Sequence, residues 1–179
     1  MYLEKQRLDD RLAFVTGGGR GIGLATAEAM LQSGARVVIS DIDPAVLAEG
    51  RAYLKERGHD VDGMVLDVAR PDDVDRVAEA VAGKHGTVDV LIANAGIAWP
   101  DTGAEEMSND VWLKVVDVDL NGCFWTCRAF ARGMLAAGRG AIVTVGSMSG
   151  IISNNPQRQA HYNAAKAGVH QLTRSMAGE

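Results

Sequence analysis

The sequence predicts a doubly wound α/β domain, a parallel sheet ordered 3-2-1-4-5 with helices over both faces. Three observations carry that expectation. Short β-branched apolar runs alternate with longer helical patterns along all 179 residues. The strand candidates are apolar throughout, as strands buried on both faces are. Helix-length stretches separate them, which right-handed crossovers between parallel strands require. No linker, repeat or low-complexity tract divides the chain, and its four prolines fall at element boundaries. Residues 1–179 are therefore expected to form one domain.

Residues 11–16 make the first strand, ended by the glycines at 17 to 19. A helix follows over 22–33 and stops at Gly34. The second strand is 36–41. Asp43 and Pro44 then supply an N-cap and a first-turn proline for a helix reaching about Arg57. The third strand spans 61–67, the third helix 71–85 and the fourth strand 88–93. One long helix is expected over 108–137, then a fifth strand over 141–145 and a helix from about Gln159 onward. That helical pattern still runs at Glu179 with no strand after it, so the domain is expected to be incomplete at its C-terminus, its last strands missing.

Composition narrows the class. With 47% hydrophobic and 23% charged residues the chain can build a core. A net charge of −5 argues against a nucleic-acid partner. No run of about 18 apolar residues offers a membrane-spanning helix. The opening Met1-Tyr2-Leu3-Glu4-Lys5 lacks the apolar region of a secretory signal. Cys123 and Cys127 share a helix face without a Cys/His cluster nearby. They read as reduced core thiols of a cytoplasmic protein, not as metal ligands, and no metal is expected.

The stretch Thr16-Gly17-Gly18-Gly19-Arg20-Gly21-Ile22-Gly23 lies between the first strand and the first helix. Glycines let backbone approach a pyrophosphate, and the helix start offers free N–H groups to it. The order strand, glycine loop, helix points to a nucleotide site of Rossmann type. Candidate contacts are Gly17, Gly19, Arg20, Gly21, Ile22 and Gly23. Asp41, ending the second strand, can accept from ribose hydroxyls and repels a 2′-phosphate. Arg20 pulls the other way, but Asp41 would lie directly against the ribose, so NAD is preferred over NADP. Asp67-Val68 and Asn94-Ala95-Gly96 end the third and fourth strands as further cofactor contacts.

Tyr162 and Lys166 are four apart on the last helix and share a face. A tyrosine of pKa ~10 transfers protons poorly at neutral pH, but a neighbouring ammonium and an oxidised nicotinamide favour its phenolate. The pair follows a strand ending in Gly146-Ser147-Met148-Ser149-Gly150. Together with the glycine loop, Asn94-Ala95-Gly96 and Tyr162-Asn163-Ala164-Ala165-Lys166, this order resembles the short-chain dehydrogenase/reductase family along the whole chain.

The resemblance implies an NAD(P)-dependent oxidoreductase. Tyr162 is then the catalytic acid–base, and Lys166 binds the nicotinamide ribose and acidifies the tyrosine. A serine binds the substrate oxygen. Position in the segment favours Ser147; spacing from the tyrosine favours Ser149, unless the following loop is two residues longer than in many members. Ser147 is preferred. Asp119 stands where the family commonly has an asparagine in a proton relay. It keeps the acceptor, loses the amide donor and adds a charge near Lys166, which is compatible with a kept relay, a strengthened lysine charge or impaired turnover.

Gly146 to Gly150, Asn155-Pro156-Gln157 and the Tyr162 segment look like members that oxidise polyols and sugar alcohols. A 3-oxoacyl-thioester reductase and a non-catalytic nucleotide-binding fragment are the alternatives. Family members assemble as homodimers or homotetramers, and the faces around 130–137 and 164–169 suit subunit packing. Trp99 is a candidate wall of the substrate pocket, Trp112 and Trp125 are expected in the packing, and His161 at the surface or an interface.

Overall fold

Every residue of Leu12–Thr16 is buried, which puts this strand, β1, in the middle of a sheet. The computed structural model describes residues 3–179, apart from the side chains of Leu3 and Lys5. Met1 and Tyr2, which open the segment read above as lacking a signal, lie outside those residues. Beside β1 run β2 (Arg36–Asp41) and β4 (Val90–Ala93), with β3 (Asp62–Val65) and β5 (Ala141–Thr144) at the edges. The order is β3-β2-β1-β4-β5 and every pairing is parallel.

Alternation along the strands builds a core on each face. Leu12, Phe14, Val38 and Leu91 face α3 (Pro71–His85), α5 (Gly122–Ala137) and α6 (Ala160–Met176). Ala13, Val15, Val37, Ile39 and Ile92 face α1 (Gly21–Gln32) and α2 (Pro44–Glu56). Phe14 stacks on Phe130 of α5 at 4.5 Å between ring centres, a contact local to the centre of the first core. Caps follow the sequence: Asp43 accepts the Ala45 amide hydrogen bond at 2.8 Å, and Ser108 accepts from Val111 ahead of α4 (Asn109–Val116). α3 has the bounds its proline and apolar spacing predict.

Several expectations are corrected. The stretch 108–137 is not one regular helix: a π-helical turn, Asp117–Asn121, lies between α4 and α5. There Asp119 turns inward to bond the Ile97 amide. Just beyond it, Gly122 fits against Val68 where a Cβ would meet Val68 Cγ2 at 2.8 Å. β3 is shorter than 61–67: it starts at Asp62, and after Val65 the Leu66 amide makes a last bond to the Asp41 carbonyl before the Asp67 amide turns to the Asp73 side chain. β4 begins two residues later than expected and β5 ends one sooner. Phe130, Met134, Ala165 and Val169 are spent in the chain's own core, while Leu135, Ala164 and Ala167 on the same two stretches are exposed. His161 is fully buried, and Trp112 is 40% exposed and stands outside the packing. Cys123 and Cys127 are buried free thiols, as the sequence suggested.

At the N-terminal end of the sheet, Asp89 binds three elements together. Its carboxylate accepts from the Leu12 amide at 3.0 Å, from Arg139 at 2.8 Å and from Arg11 at 3.5 Å. Its carbonyl receives the Ala141 amide at 2.9 Å, tying the start of β5 to the approach to β4. Burial pushes this carboxyl up, but the Leu12 amide and the two guanidinium groups outweigh it and hold it below the usual range. A depressed folded pKa adds stability that is present above the unfolded value of ~3.9 and fades as pH falls through the folded one. Asp89→Ala is expected to cost about 2–3 kcal/mol in urea melts at neutral pH, with the gap to the parent narrowing below pH ~4. A gap that stays constant with pH would show that the ionised carboxylate is not what stabilises this corner.

Candidate functional site

The C-terminal ends of β1 and β4 lie side by side while their onward connections depart in opposite directions. This is the switch point at which doubly wound sheets bind ligands. A cavity of about 580 Å³ opens there. Of the residues singled out in the sequence, it is lined by Gly17, Arg20, Ile22, Asp41, Asp67, Val68, Asn94, Ala95, Gly96, Asp119, Tyr162 and Lys166.

Gly19, Gly21, Gly23 and Ser147 do not line it. Gly21 has φ +58° and Gly17 φ +61°, left-handed conformations that favour glycine and turn the loop into α1. Gly19 lies under Asp41 and Val46, and Gly23 lies against the Gly17 carbonyl and the Asn94 side chain, so both shape the loop from behind. Asn94 points its amide into the scaffold, donating to the carbonyls of Thr16 at 2.9 Å and Gly17 at 3.1 Å. Thr16 Oγ1 in turn accepts the Asn94 and Ala95 amides, both at 3.0 Å. Asp41 accepts the Asp43 amide at 3.2 Å, and Asp67 accepts the Ala69 amide at 3.0 Å; both are strand-end turns.

At the other end of the cavity, α6 delivers Tyr162 and Lys166 from one face. Lys166 Nζ lies 5.6 Å from the Tyr162 ring centre and donates to the Val145 carbonyl at 2.9 Å. Its ammonium is also 3.3 Å from Asp119 Oδ2. Burial pushes the Asp119 carboxyl above its usual range, and Lys166 and the Ile97 amide oppose that push. Ser147 is partly exposed, and its hydroxyl accepts the Ser149 amide at 3.1 Å, opening the short 3₁₀ turn Met148–Gly150. Ser149 is buried, with its hydroxyl accepting from Gln159 at 3.2 Å.

Sequence reasoning missed Ile42, Leu66, Ile97, Ala98, Lys114, Val118 and Val145 in the lining. Six of the seven immediately precede or follow a residue that was named, so the rule that ligands sit beyond strand ends would have found most of them. Lys114 on α4 and Val118 in the π-helical turn carry a helical signal, four residues apart and leading to Asp119. Trp99, expected as a pocket wall, is absent from the lining; the Lys114 ammonium covers its ring at 5.0 Å, and Lys114 reaches the cavity instead.

A parallel sheet with a glycine loop at its switch point defines a nucleotide-binding fold. The family described as short chain dehydrogenase matches residues 11–179. The chain is 46% identical over 178 residues to a galactitol 2-dehydrogenase of Rhizobium johnstonii, covering 99% of this chain and 69% of that protein. It is 37% identical to a 3-oxoacyl-acyl-carrier-protein reductase of Vibrio cholerae, covering 96% and 68%. The solved gluconate 5-dehydrogenase of Burkholderia cenocepacia, in complex with NADP and tartrate, superposes with a TM-score of 0.92 at 32% identity, covering 99% and 69%. The chain belongs to the short-chain dehydrogenases, oxidoreductases that bind NAD(P), and spans about two thirds of the length of these relatives.

Gly23 offers a direct test of the loop. A Cβ there would run into the Gly17 carbonyl and the Asn94 amide, both fixed in the scaffold. Gly23→Ala is expected to weaken NADH binding by at least about tenfold in fluorescence titrations, with circular dichroism unchanged. Unchanged affinity would mean that the loop adapts and that close packing of α1 on β1 is not needed for the site.

Proposed function

We propose that this chain serves the NAD-dependent interconversion of a secondary alcohol and its ketone, on a polyol or sugar alcohol, with Tyr162 as acid–base. The observation that carries the reading is the Tyr162–Lys166 pair at one end of a cavity whose other end holds Asp41 and the glycine loop. The residues suit a dinucleotide: two glycines at positive φ, a third with no room for a Cβ, and a helix start beside them. The loop and the α1 N-terminus would hold the pyrophosphate, Asp41 the adenosine ribose, and Lys166 the nicotinamide ribose. When bound, NAD supplies the hydride chemistry.

The protein's own part is proton transfer. As base, the Tyr162 phenolate takes the hydroxyl proton of the alcohol; as acid, the phenol returns it to the ketone oxygen. The Lys166 ammonium favours the phenolate by proximity of charge. Ser147 uses its oxygen lone pair on the Ser149 amide, which leaves its O–H free to donate to the substrate oxygen. Ser149, buried and engaged by Gln159, has less freedom for that task, which supports Ser147. Assembly as a homodimer or homotetramer and a cytoplasmic location belong to the same reading; no described helix is long and apolar enough to cross a membrane.

NAD is preferred because the Asp41 carboxylate faces the cavity, where a 2′-phosphate would meet like charge. The related gluconate 5-dehydrogenase holds NADP, and Arg20 favours it here. The second reading, a 3-oxoacyl-thioester reductase, draws on the 37% identity to the Vibrio enzyme. Asp41 argues against the NADPH usual for that reaction.

Two measurements test this. Asp41→Ala should narrow the preference for NAD over NADP by more than about tenfold, as the ratio of kcat/KM values over a panel of polyols and hydroxyacyl thioesters. A parent protein that already prefers NADP would defeat the Asp41 argument. Tyr162→Phe should abolish turnover and leave NADH affinity within about twofold, since only the proton donor is lost. Retained turnover would remove Tyr162 from the mechanism.

A further inference from the structure

Asp119 and Lys166 are an ion pair closed off from water. Their side chains are 0% and 5% exposed, with Oδ2 3.3 Å from Nζ. The other carboxylate oxygen, Oδ1, accepts the Ile97 amide at 2.8 Å, and Nζ donates to the Val145 carbonyl at 2.9 Å. Oδ2 has no well-directed hydrogen bond, so what it meets is chiefly the charge of the lysine. The groups around the pair are few. From α6 come Tyr162 and the buried His161, whose ring nitrogens have no hydrogen-bond partner; His161 also pulls the Asp119 carboxyl down. From the π turn comes Asp117, engaged by the Asn121 amide at 2.8 Å. From α5 comes the Cys123 thiol, which both members of the pair influence. The loop after β4 contributes no charged side chain at Asn94-Ala95-Gly96-Ile97. Lys114 and Asp67 line the same cavity.

We propose that Asp119 is a positioning residue that fixes the Lys166 ammonium and counterbalances its charge, so that Lys166 holds the Tyr162 phenolate less strongly than an unpaired lysine would. The inference rests on the reading of Tyr162 as acid–base and specifies how that site is tuned. A carboxylate 3.3 Å from an ammonium, inside protein, cancels much of the potential that the ammonium projects to a third group. That balance favours the direction in which the phenol acts as acid, reduction of a ketone. The Ile97 amide fixes the carboxylate in its orientation, so the offset is part of the fold.

The test compares Asp119→Asn, which keeps an acceptor for Ile97 and removes the charge, with Asp119→Glu, which keeps the charge. Asp117→Asn is the control: it removes an acid from the same turn whose partner is Asn121. Phenolate formation is followed by ultraviolet difference titration of the protein as it stands, with the Tyr162→Phe spectrum subtracted so that only Tyr162 is read. Asp119→Asn should move the Tyr162 transition to lower pH by about one unit, while Asp119→Glu and Asp117→Asn move it little. The pH limb of kcat/KM for alcohol oxidation should follow by the same amount, with KM for NAD within about twofold. An unmoved transition in a folded Asp119→Asn protein, or an equal shift in Asp117→Asn, overturns the proposal. If Asp119→Asn does not fold, an unmoved transition in Asp119→Glu supports the proposal and a downward shift there overturns it. A shifted titration beside an unshifted pH–rate limb would leave the charge balance in place and overturn the acid–base role of Tyr162 instead.

Discussion

The junction of β1 and β4 is the constraint on which the rest of the site depends. Thr16 receives two successive amides from the end of β4, and Asn94 returns its own amide to two successive carbonyls at the end of β1. Four hydrogen bonds thus bridge the place where a parallel sheet changes direction and where strand backbone would otherwise end without partners. The width of the crevice, the start of the glycine loop and the path toward Gly96 all follow from that stitch. A residue that reads from sequence as a cofactor contact is mainly the clamp that gives the other contacts their places.

Much of the architecture was legible because the strongest signals were also the most local ones. Pro71 with the apolar spacing behind it marks α3 to the residue, and Asp43-Pro44 marks the start of α2. Strand bounds were less legible. Leu66 is apolar and buried like a strand residue, yet the adjoining amide of Asp67 is claimed by Asp73, a partner six residues on that periodicity does not weigh. The π turn was illegible for a related reason: its cause is tertiary, an inward carboxylate meeting the Ile97 amide and a glycine fitted against Val68.

The site divides in the same way. At the strand ends Asp41, Asp67, Val68 and Asn94-Ala95-Gly96 were found, since sheet topology alone sends them to one edge. Lys114 was not, because only the path of α4 past the loop after β4 brings it to the cavity. His161 shows the opposite error. Its angle from Tyr162 on the helix was sound, but the far side of that helix is covered by α4 and the π turn, so the direction led inward.

The hydrogen bond from Ile97 to Asp119 joins two things usually considered apart. Ile97 belongs to the loop that leaves β4 beside the cavity, and Asp119 belongs to the balance of charge around Lys166. Because that amide orients one oxygen of the carboxylate while the other faces the lysine, a displacement of the loop large enough to break the bond removes what holds the counter-ion in place. Loop position and the placement of the lysine's counter-ion are in that sense coupled, and anything that presses on the loop from the cavity side acts on that ion pair without touching a titratable group.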